Sequence, residues 1–125
     1  MAYDHGAFRV RNLEDAIEFY TSKLGFVLTK KWETIEHGEK GAFLEYNEAR
    51  LELLETIGKD YTPTVPEHPY CPHLCFETKD MDGIIKTLED NGIEILDGPN
   101  EIPGEERWIY FTDPDLNVME FIYWE

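Results

Sequence analysis

The sequence predicts an α+β fold in which two βαβββ modules form a curved mixed sheet with the helices on its outer face. The first observation behind this prediction is an internal repeat, because His5 and His73 are 68 residues apart and so are Glu52 and Glu120. The same spacing relates Phe8 with Phe76, Asn12 with Asp80, Leu13 with Met81, Glu14 with Asp82, Ile17 with Ile85, and Phe43 with Phe111. A spacing shared by apolar and acidic positions is typical of a duplicated supersecondary unit.

The second observation is a proline-rich stretch between the two repeats. Its prolines are Pro63, Pro66, Pro69 and Pro72. Proline at this density is incompatible with a helix or a central strand. We therefore predict one domain over residues 1–125, with module 1 at about 3–56, a linker at 57–69 and module 2 at about 70–124. A module of this size would bury too little surface alone, so we expect the two modules to share one sheet.

The elements of module 1 follow from the pattern of apolar residues. Residues 5–10 predict a strand that places His5, Ala7 and Arg9 on one face. Asn12 is a suitable N-cap, and apolar residues then recur at helical spacing until Gly25 ends the helix. Three further strands are predicted at residues 26–28, 42–46 and 49–55, with polar connections at 33–40 and 47–48.

Module 2 repeats this order of elements. A strand at residues 73–78 is followed by Asp80 as the N-cap of a helix over residues 81–90, which Gly92 ends. Three further strands are predicted at residues 94–96, 108–111 and 118–123.

Composition restricts the classes of function. The apolar fraction is 42%, which suits a compact core, and no apolar run is long enough to span a bilayer. The net charge of −16 repels phosphate backbones and anionic lipids, so we expect neither nucleic-acid nor membrane binding. The first residues do not have the pattern of a signal peptide, and two cysteines are too few for a disulfide scaffold, so we expect a cytoplasmic protein.

The four repeated polar residues are the candidate functional site. Glu120 lies in a segment that is apolar on both faces, and Glu52 lies between two leucines. A buried carboxylate without a partner costs several kcal/mol, so it must be paired, protonated or bound to a metal. Any one of these residues could be an ordinary core histidine or salt-bridged glutamate. Together with His5 and His73 in twofold register, they predict a site for a divalent metal of borderline hardness.

Several short motifs carry a family resemblance, namely Asp4-His5, Phe8-Arg9-Val10, residues 13–20, Leu24-Gly25-Phe26, Leu51-Glu52-Leu53, His73-Leu74, Asp113-Pro114-Asp115 and Met119-Glu120. Over essentially its whole length the chain resembles the vicinal oxygen chelate superfamily, and within it the glyoxalase I (lactoylglutathione lyase) branch. In that branch the metal ligands are His, Glu, His and Glu, at the places occupied here by His5, Glu52, His73 and Glu120. Epimerase relatives have Gln at the second position, and extradiol dioxygenases use only two His and one Glu.

The resemblance implies glyoxalase I chemistry, with a role in methylglyoxal detoxification. A hemithioacetal of a 2-oxoaldehyde and a thiol, such as the methylglyoxal–glutathione adduct, loses a carbon-bound proton. It passes through an enediolate and is reprotonated at the neighbouring carbon to a 2-hydroxyacyl thioester. A divalent metal stabilises the oxyanion while a carboxylate moves the proton. Glu120 is the first choice for this base and Glu52 the second, with an exchange of roles according to stereochemistry, and His5 and His73 are ligands only.

The expected metal is nickel or zinc, with cobalt and manganese as alternatives. The substrate-binding residues implied by the resemblance are less complete than the ligands. Arg9 matches a glutathione-binding arginine of the family, whereas Thr56 stands where the family has Asn after the second ligand. Arg107 or Lys59 could meet a second substrate carboxylate.

The sequence also gives structural expectations for two residues outside the candidate ligand set. Leu116 stands where the family usually has Gly after Asp-Pro-Asp, so we expect the next residue, Asn117, to take the left-handed conformation. Cys75 shares a strand face with His73, and we expect a buried structural thiol rather than a catalytic one.

Two other functions remain open. One is a sibling metal enzyme, either an epimerase or a thiol transferase. The other is a metal-free binding module of the bleomycin-resistance type, whose cationic ligand the charge of −16 would favour. In this family each sheet closes its cavity against another module, so we expect a homodimer. The ligands then come from one chain, or His5 and Glu52 of one chain face His73 and Glu120 of the other.

Overall fold

The computed structural model describes all 125 residues, which form two compact units, Met1–Pro63 and Thr64–Glu125. Each unit contains one βαβββ module, as predicted. Module 1 consists of β1 (Gly6–Arg9), α1 (Leu13–Glu18), β2 (Val27–Thr34), β3 (Glu39–Tyr46) and β4 (Ala49–Thr56). Module 2 consists of β5 (Leu74–Glu77), α2 (Met81–Asp90), β6 (Ile95–Ile102), β7 (Glu106–Thr112) and β8 (Val118–Trp124).

Both modules have the same strand order. The sheets run β1-β4-β3-β2 and β5-β8-β7-β6, so the first strand of each module lies beside its last strand. That pair is parallel, and the remaining neighbours are antiparallel, which makes each sheet mixed. The eight strands are thus divided between two four-stranded sheets, whereas the sequence predicted one sheet. The difference arises because every strand forms its backbone hydrogen bonds with strands of its own module.

The helices begin where the sequence predicts. Asn12 caps α1 by accepting a hydrogen bond of 3.0 Å from the Asp15 amide, and Asp80 caps α2 by accepting one of 2.9 Å from the Gly83 amide. The first helix is not α-helical to its end, because Phe19–Lys23 form a π-helical turn. Apolar spacing did not reveal this turn, since a widened helix still buries its aromatic residues.

Each module has its own apolar face. In module 1 this face is built mainly from leucines of β3 and β4 under α1, including Leu44, Leu51 and Leu53, all fully buried. In module 2 the corresponding residues of β7 and β8 include Phe111 and Phe121, whose rings stack with centroids 5.9 Å apart. Truncation of such a residue to alanine typically costs about 2–5 kcal/mol. The opposite face of each sheet is therefore free to carry polar residues without loss of the core.

The final hairpins of the two modules differ. In module 1, β3 and β4 are joined by a two-residue turn in which Asn47 has a φ of 54°. In module 2, buried Asp113 organises a longer loop, since its Oδ1 accepts hydrogen bonds from the amides of Asp115 at 2.8 Å and Asn117 at 2.9 Å. Leu116 takes the left-handed conformation with a φ of 61°. The expectation that Asn117 would do so was wrong.

None of the helices is long and apolar enough to cross a bilayer.

Candidate metal centre

In module 1, the parallel pairing of β1 with β4 brings a histidine to a glutamate. Ala7 lies opposite Glu52 in this register, and His5 precedes β1 by one residue. The His5 Nε2 atom lies 3.3 Å from the Glu52 Oε1 atom. On the other side of the ring, His5 Nδ1 is 2.6 Å from Oδ2 of Asp4, and this hydrogen bond lowers the pKa of the Asp4 carboxyl. Arg50 contributes to the same lowering of the pKa through its positive charge.

Module 2 contains an equivalent His–Glu pair, and the groups around it differ from those in module 1. His73 Nε2 lies 3.1 Å from Glu120 Oε1, and its Nδ1 lies 3.1 Å from the backbone carbonyl of Tyr70. Glu120 is buried, while Glu52 is half-buried. Both sequence-predicted His–Glu pairs therefore exist as direct contacts, one in each module.

The hydrogen bonds at Nδ1 determine what each ring offers at Nε2. A carbonyl oxygen only accepts, so Nδ1 of His73 must donate to Tyr70, and neutral His73 then presents a lone pair at Nε2 toward Glu120. Two lone pairs that face each other at 3.1 Å require a proton or a cation between them. A hydrogen-bonded Nδ1 opposite a free Nε2 is also the usual arrangement of a histidine that ligates a metal.

The separations of the donor atoms fit a metal ion as well. Metal–nitrogen and metal–oxygen bonds are about 2.0–2.2 Å, so two ligands at right angles or at a tetrahedral angle lie roughly 3.0–3.5 Å apart. The pairs measure 3.3 Å and 3.1 Å. No three His, Cys, Asp or Glu side chains of the structure gather into a metal-binding group, so each module by itself brings together two candidate ligands.

An aromatic ring lies beside each histidine, and neither contact was predicted from the sequence. His5 meets Phe43 edge-on at 5.1 Å between ring centroids, and His73 meets Tyr110 edge-on at 5.2 Å. Phe43 and Tyr110 lie directly opposite Glu52 and Glu120 in their sheets. The counterpart of Phe43 is thus Tyr110, and its predicted counterpart Phe111 is a core residue on the other face.

The physical reason for this error is the longer hairpin of module 2, which shifts β7 by one residue relative to β8. A one-residue shift moves every side chain of a strand to the opposite face. As a consequence of this shift, a tyrosine with its hydroxyl lies opposite Glu120, whereas the corresponding residue of module 1 has no hydroxyl. Desolvation, followed by the charge of Glu120, raises the pKa of Tyr110.

Cys75 lies opposite Glu120 in the register of β5 and β8, on the same face of the sheet. The expectation of a buried thiol was wrong, because Cys75 is exposed by surface area. Its sulfur nevertheless faces the carboxylate, and desolvation together with the charge and hydrogen bond of Glu120 raises the pKa of Cys75 to about 12. The direction of this shift follows from the adjacent carboxylate alone. Cys75 is therefore a thiol at neutral pH.

The predicted substrate-binding residues lie in different places. Arg9 and Thr56 are on the same sheet face as Glu52. Thr56 is an even number of residues from Glu52 along β4, and Arg9 is an even number of residues from the β1 position that pairs with Glu52. The guanidinium of Arg9 lies over the Tyr61 ring, 4.2 Å from its centroid. Arg107 instead lies on the face opposite to Glu120.

The contacts of Arg107 are ionic and local. Its Nη2 atom is 3.4 Å from Asp82 at the start of α2, and its Nε atom is 3.7 Å from Glu101. The structure thus brings Arg9 and Thr56 to the face of a His–Glu pair, and it does not bring Arg107 there.

Known proteins of similar sequence carry several activities. The chain is 31% identical over 124 residues to the probable lactoylglutathione lyase of Vibrio cholerae serotype O1, covering 94% of this chain and 87% of that protein. It is 30% identical over 120 residues to the metallothiol transferase FosB of Lysinibacillus sphaericus, covering 94% and 79%. It is 25% identical over 116 residues to the mitochondrial methylmalonyl-CoA epimerase of Dictyostelium discoideum, covering 89% and 69%.

Comparison at the level of structure and family agrees with these similarities. The fold is similar to that of the glyoxylase/bleomycin resistance protein/dioxygenase domain from Frankia sp. EAN1pec, with a TM-score of 0.83 and 19% identity over 100% of this chain and 93% of that chain. A family model matches residues 2–121. The protein therefore belongs to the Glyoxalase/Bleomycin resistance protein/Dioxygenase superfamily, the vicinal oxygen chelate superfamily that its sequence motifs resemble.

Proposed function

We propose that this protein is a metal-dependent enzyme of the glyoxalase I type. Its reaction would convert the hemithioacetal of a 2-oxoaldehyde and a thiol into a 2-hydroxyacyl thioester, with methylglyoxal and glutathione as the first candidates. Members of this superfamily generally depend on divalent metals and act on small molecules. The observation that carries the proposal is the repeated His–Glu pair, with Nε2–Oε1 distances of 3.3 Å and 3.1 Å.

The donor set of the two pairs suits a divalent cation. Two imidazole nitrogens and two carboxylate oxygens, from His5, Glu52, His73 and Glu120, match nickel or zinc best, and cobalt or manganese would also be accepted. When bound, the metal supplies Lewis-acid stabilisation of the oxygen that becomes negative as the substrate loses its proton.

Glu120 is the proposed base. It must take the proton from one substrate carbon and return it to the neighbouring carbon, while the hydroxyl proton passes from one substrate oxygen to the adjacent one. The reaction is an isomerisation and needs no oxidant or reductant. Glu120 is buried, and Cys75 lies beside it in the register of β5 and β8. Glu52 is less enclosed, and we propose it as a ligand that can serve as base for the opposite stereochemistry.

The test is an isomerisation assay on metal-free protein supplied separately with nickel, cobalt and zinc. We expect conversion of the methylglyoxal–glutathione hemithioacetal with at least one metal, and loss of this activity on chelation. The matched control is Lys86→Gln, because Lys86 is exposed and pairs only with Asp90 of its own helix. Stoichiometric metal binding without isomerisation would contradict glyoxalase I activity and favour a sibling enzyme. Failure to bind any metal would favour a binding module of the bleomycin-resistance type.

A thiol transferase is the second candidate, favoured by the 30% identity to metallothiol transferase FosB over nearly the whole chain. The same metal-loaded protein should then consume fosfomycin and a low-molecular-weight thiol together. The similarity to methylmalonyl-CoA epimerase makes epimerisation of methylmalonyl-CoA the third arm of the same assay. Activity in one arm alone would assign the substrate class.

We propose a homodimer in which each complete ligand set combines one pair of each kind, from one chain or from two. Mixing His5→Ala with His73→Ala protein distinguishes these arrangements. If the site combines pairs from two chains, a heterodimer of the two variants contains one intact site, and metal binding is restored. If the site lies within one chain, mixing restores nothing. Light scattering that gives a monomeric mass at micromolar concentration would contradict the dimer.

A further inference from the structure

Asp4, His5 and Arg50 form a continuous chain of contacts in module 1. His5 Nδ1 lies 2.6 Å from Asp4 Oδ2. Arg50 Nη1 donates to both carboxylate oxygens of Asp4, at 3.1 Å and 3.0 Å. These contacts are more numerous than those of an ordinary exposed ion pair, in which a single long side chain meets one carboxylate oxygen.

Arg50 also contacts the other neighbour of the His5 ring. Its guanidinium lies over Phe43, 4.8 Å from the ring centroid, and Phe43 in turn meets His5 edge-on at 5.1 Å. One arginine thus holds both the carboxylate and the aromatic ring that contact the imidazole. An ionised carboxylate only accepts, so Nδ1 donates to Asp4 and leaves the lone pair of Nε2 directed at Glu52.

Module 2 has no equivalent of this arrangement. At the repeat spacing of 68, the counterpart of Asp4 is Pro72 and that of Arg50 is Val118. His73 Nδ1 donates to the backbone carbonyl of Tyr70 instead. The two histidines are therefore oriented by different means, a charged side chain in one module and a neutral backbone group in the other.

We propose that Asp4 and Arg50 are positioning residues for His5. Asp4 holds the imidazole in the tautomer whose Nε2 lone pair is available to a metal, and Arg50 holds Asp4 in place. This inference rests on the proposed metal ligation by His5, though not on the identity of the reaction. Residues that orient a ligating histidine typically contribute about 10–100-fold to metal affinity.

The first measurement is zinc affinity, by competition with a chromophoric chelator. We expect Asp4→Ala to weaken zinc binding about 10–100-fold. Arg50→Gln should weaken it less, because Asp4 can still accept from Nδ1. The matched control is Glu14→Gln, which removes another exposed 2.6 Å ion pair of module 1, that of Glu14 with Lys31, and should leave the affinity unchanged.

The second measurement is the tautomer of His5 in the metal-free protein, from long-range ¹H–¹⁵N NMR correlations of its ring. Wild type should show the Nδ1–H form, and Asp4→Ala should lose this preference. Asp4→Asn should restore it, because an amide oxygen accepts the same hydrogen bond. A merely structural role of Asp4 would not change the tautomer in this way.

The proposal is overturned if Asp4→Ala keeps both the zinc affinity and the His5 tautomer of wild type. It is also overturned if Glu14→Gln weakens zinc binding as strongly as Asp4→Ala, since the effect would then be general to surface charge. Wild-type protein that binds zinc but does not isomerise the hemithioacetal would refute the glyoxalase I proposal alone. The zinc affinity and the His5 tautomer can be measured whichever reaction the protein catalyses.

Discussion

The two modules share a His–Glu pair but surround it differently. The Nε2–Oε1 distances agree within a few tenths of an ångström, because in both modules a parallel strand pair sets the glutamate row. The row beside Glu52 contains Ala7 and Phe43, whereas the row beside Glu120 contains Cys75 and Tyr110. The sheet backbone thus preserves the positions of the donor atoms while the residues around them diverge.

The difference between the modules indicates a division of labour. Module 1 orients its histidine with charged side chains and leaves its glutamate half-buried. Module 2 encloses its glutamate and places a thiol beside it. We infer that module 2 provides the base and that module 1 contributes mainly to metal binding. Four predictions test this comparison.

The largest effect is expected at the two glutamates. Glu120→Gln should lower the rate of the isomerisation on the order of 10²–10⁴-fold while it keeps bound metal, because an amide oxygen can ligate but cannot accept the proton. Glu52→Gln should cost less. Activity per bound metal, with metal content measured on the same samples, separates the two roles. A greater loss with Glu52→Gln would assign the base to module 1.

The next effect concerns stability and the unequal hairpins. Asp113→Ala should destabilise the protein by about 2–4 kcal/mol, because buried Asp113 accepts charge-assisted hydrogen bonds from Asp115 and from both nitrogens of Asn117. In the two-residue turn of module 1, Glu48→Ala should change stability by less than about 0.5 kcal/mol, since Glu48 is exposed. Urea unfolding measures both. Equal effects would show that Asp113 does not organise its loop.

A third effect distinguishes Cys75 from an ordinary thiol. Its pKa is raised from 9.0 to about 12, so at pH 8 its thiolate fraction is lower. The thiolate fraction falls on the order of 10³-fold relative to a thiol of ordinary pKa. A more basic thiolate is also more nucleophilic, which offsets part of this loss. Alkylation of Cys75 should therefore be roughly 30-fold slower than that of an ordinary thiol. The rate should rise tenfold per pH unit up to about pH 12.

The matched variant for this measurement is Glu120→Gln, which removes the neighbouring charge and should accelerate alkylation of Cys75 in metal-free protein. Mass spectrometry of the iodoacetamide-treated chain distinguishes Cys75 from Cys71. Alkylation of Cys75 as fast as that of a free thiol at pH 8 would show that Glu120 does not act on it.

The smallest effect concerns backbone conformation in the two hairpins. Leu116 and Asn47 both have positive φ, at 61° and 54°. Leu116→Gly should be more stable than Leu116→Ala by about 1 kcal/mol, because only glycine adopts this conformation without strain. Asn47→Gly should change little, since asparagine tolerates the same conformation. Thermal unfolding would contradict this account if Leu116→Ala were the more stable of the two variants.

Much of the fold could be predicted because its signals are local. Asn12 and Asp80 are caps followed by helical spacing, and both helices begin after them in the structure. The βαβββ order appeared twice because apolar and polar positions recur at one spacing. The longer strand ends were not predicted, because hydrogen bonding to a neighbouring strand decides them. The π-helical turn was not predicted, because apolar spacing does not distinguish it from an α-helix.

The candidate site divides in the same way. The identity of His5, Glu52, His73 and Glu120 followed from sequence spacing, and the structure gives the direct contact within each pair. Tyr110 was missed because the repeat was read at a constant spacing, and only the longer hairpin reveals the shift. Arg107 was proposed as a substrate contact from its charge, which contains no information on the sheet face it occupies.

By itself, the sequence determined the duplicated architecture, the family and the chemical type of the four candidate ligands, because these depend on residue identity and on periodicities that local backbone geometry imposes. Only the tertiary structure decided which residues surround each ligand pair. Strand register places Cys75 and Tyr110 beside Glu120, and contacts between residues far apart in sequence place Arg50 on Asp4. Register and long-range contacts result from the packing of the whole module, and a shift of one residue along a strand reverses every side chain it carries.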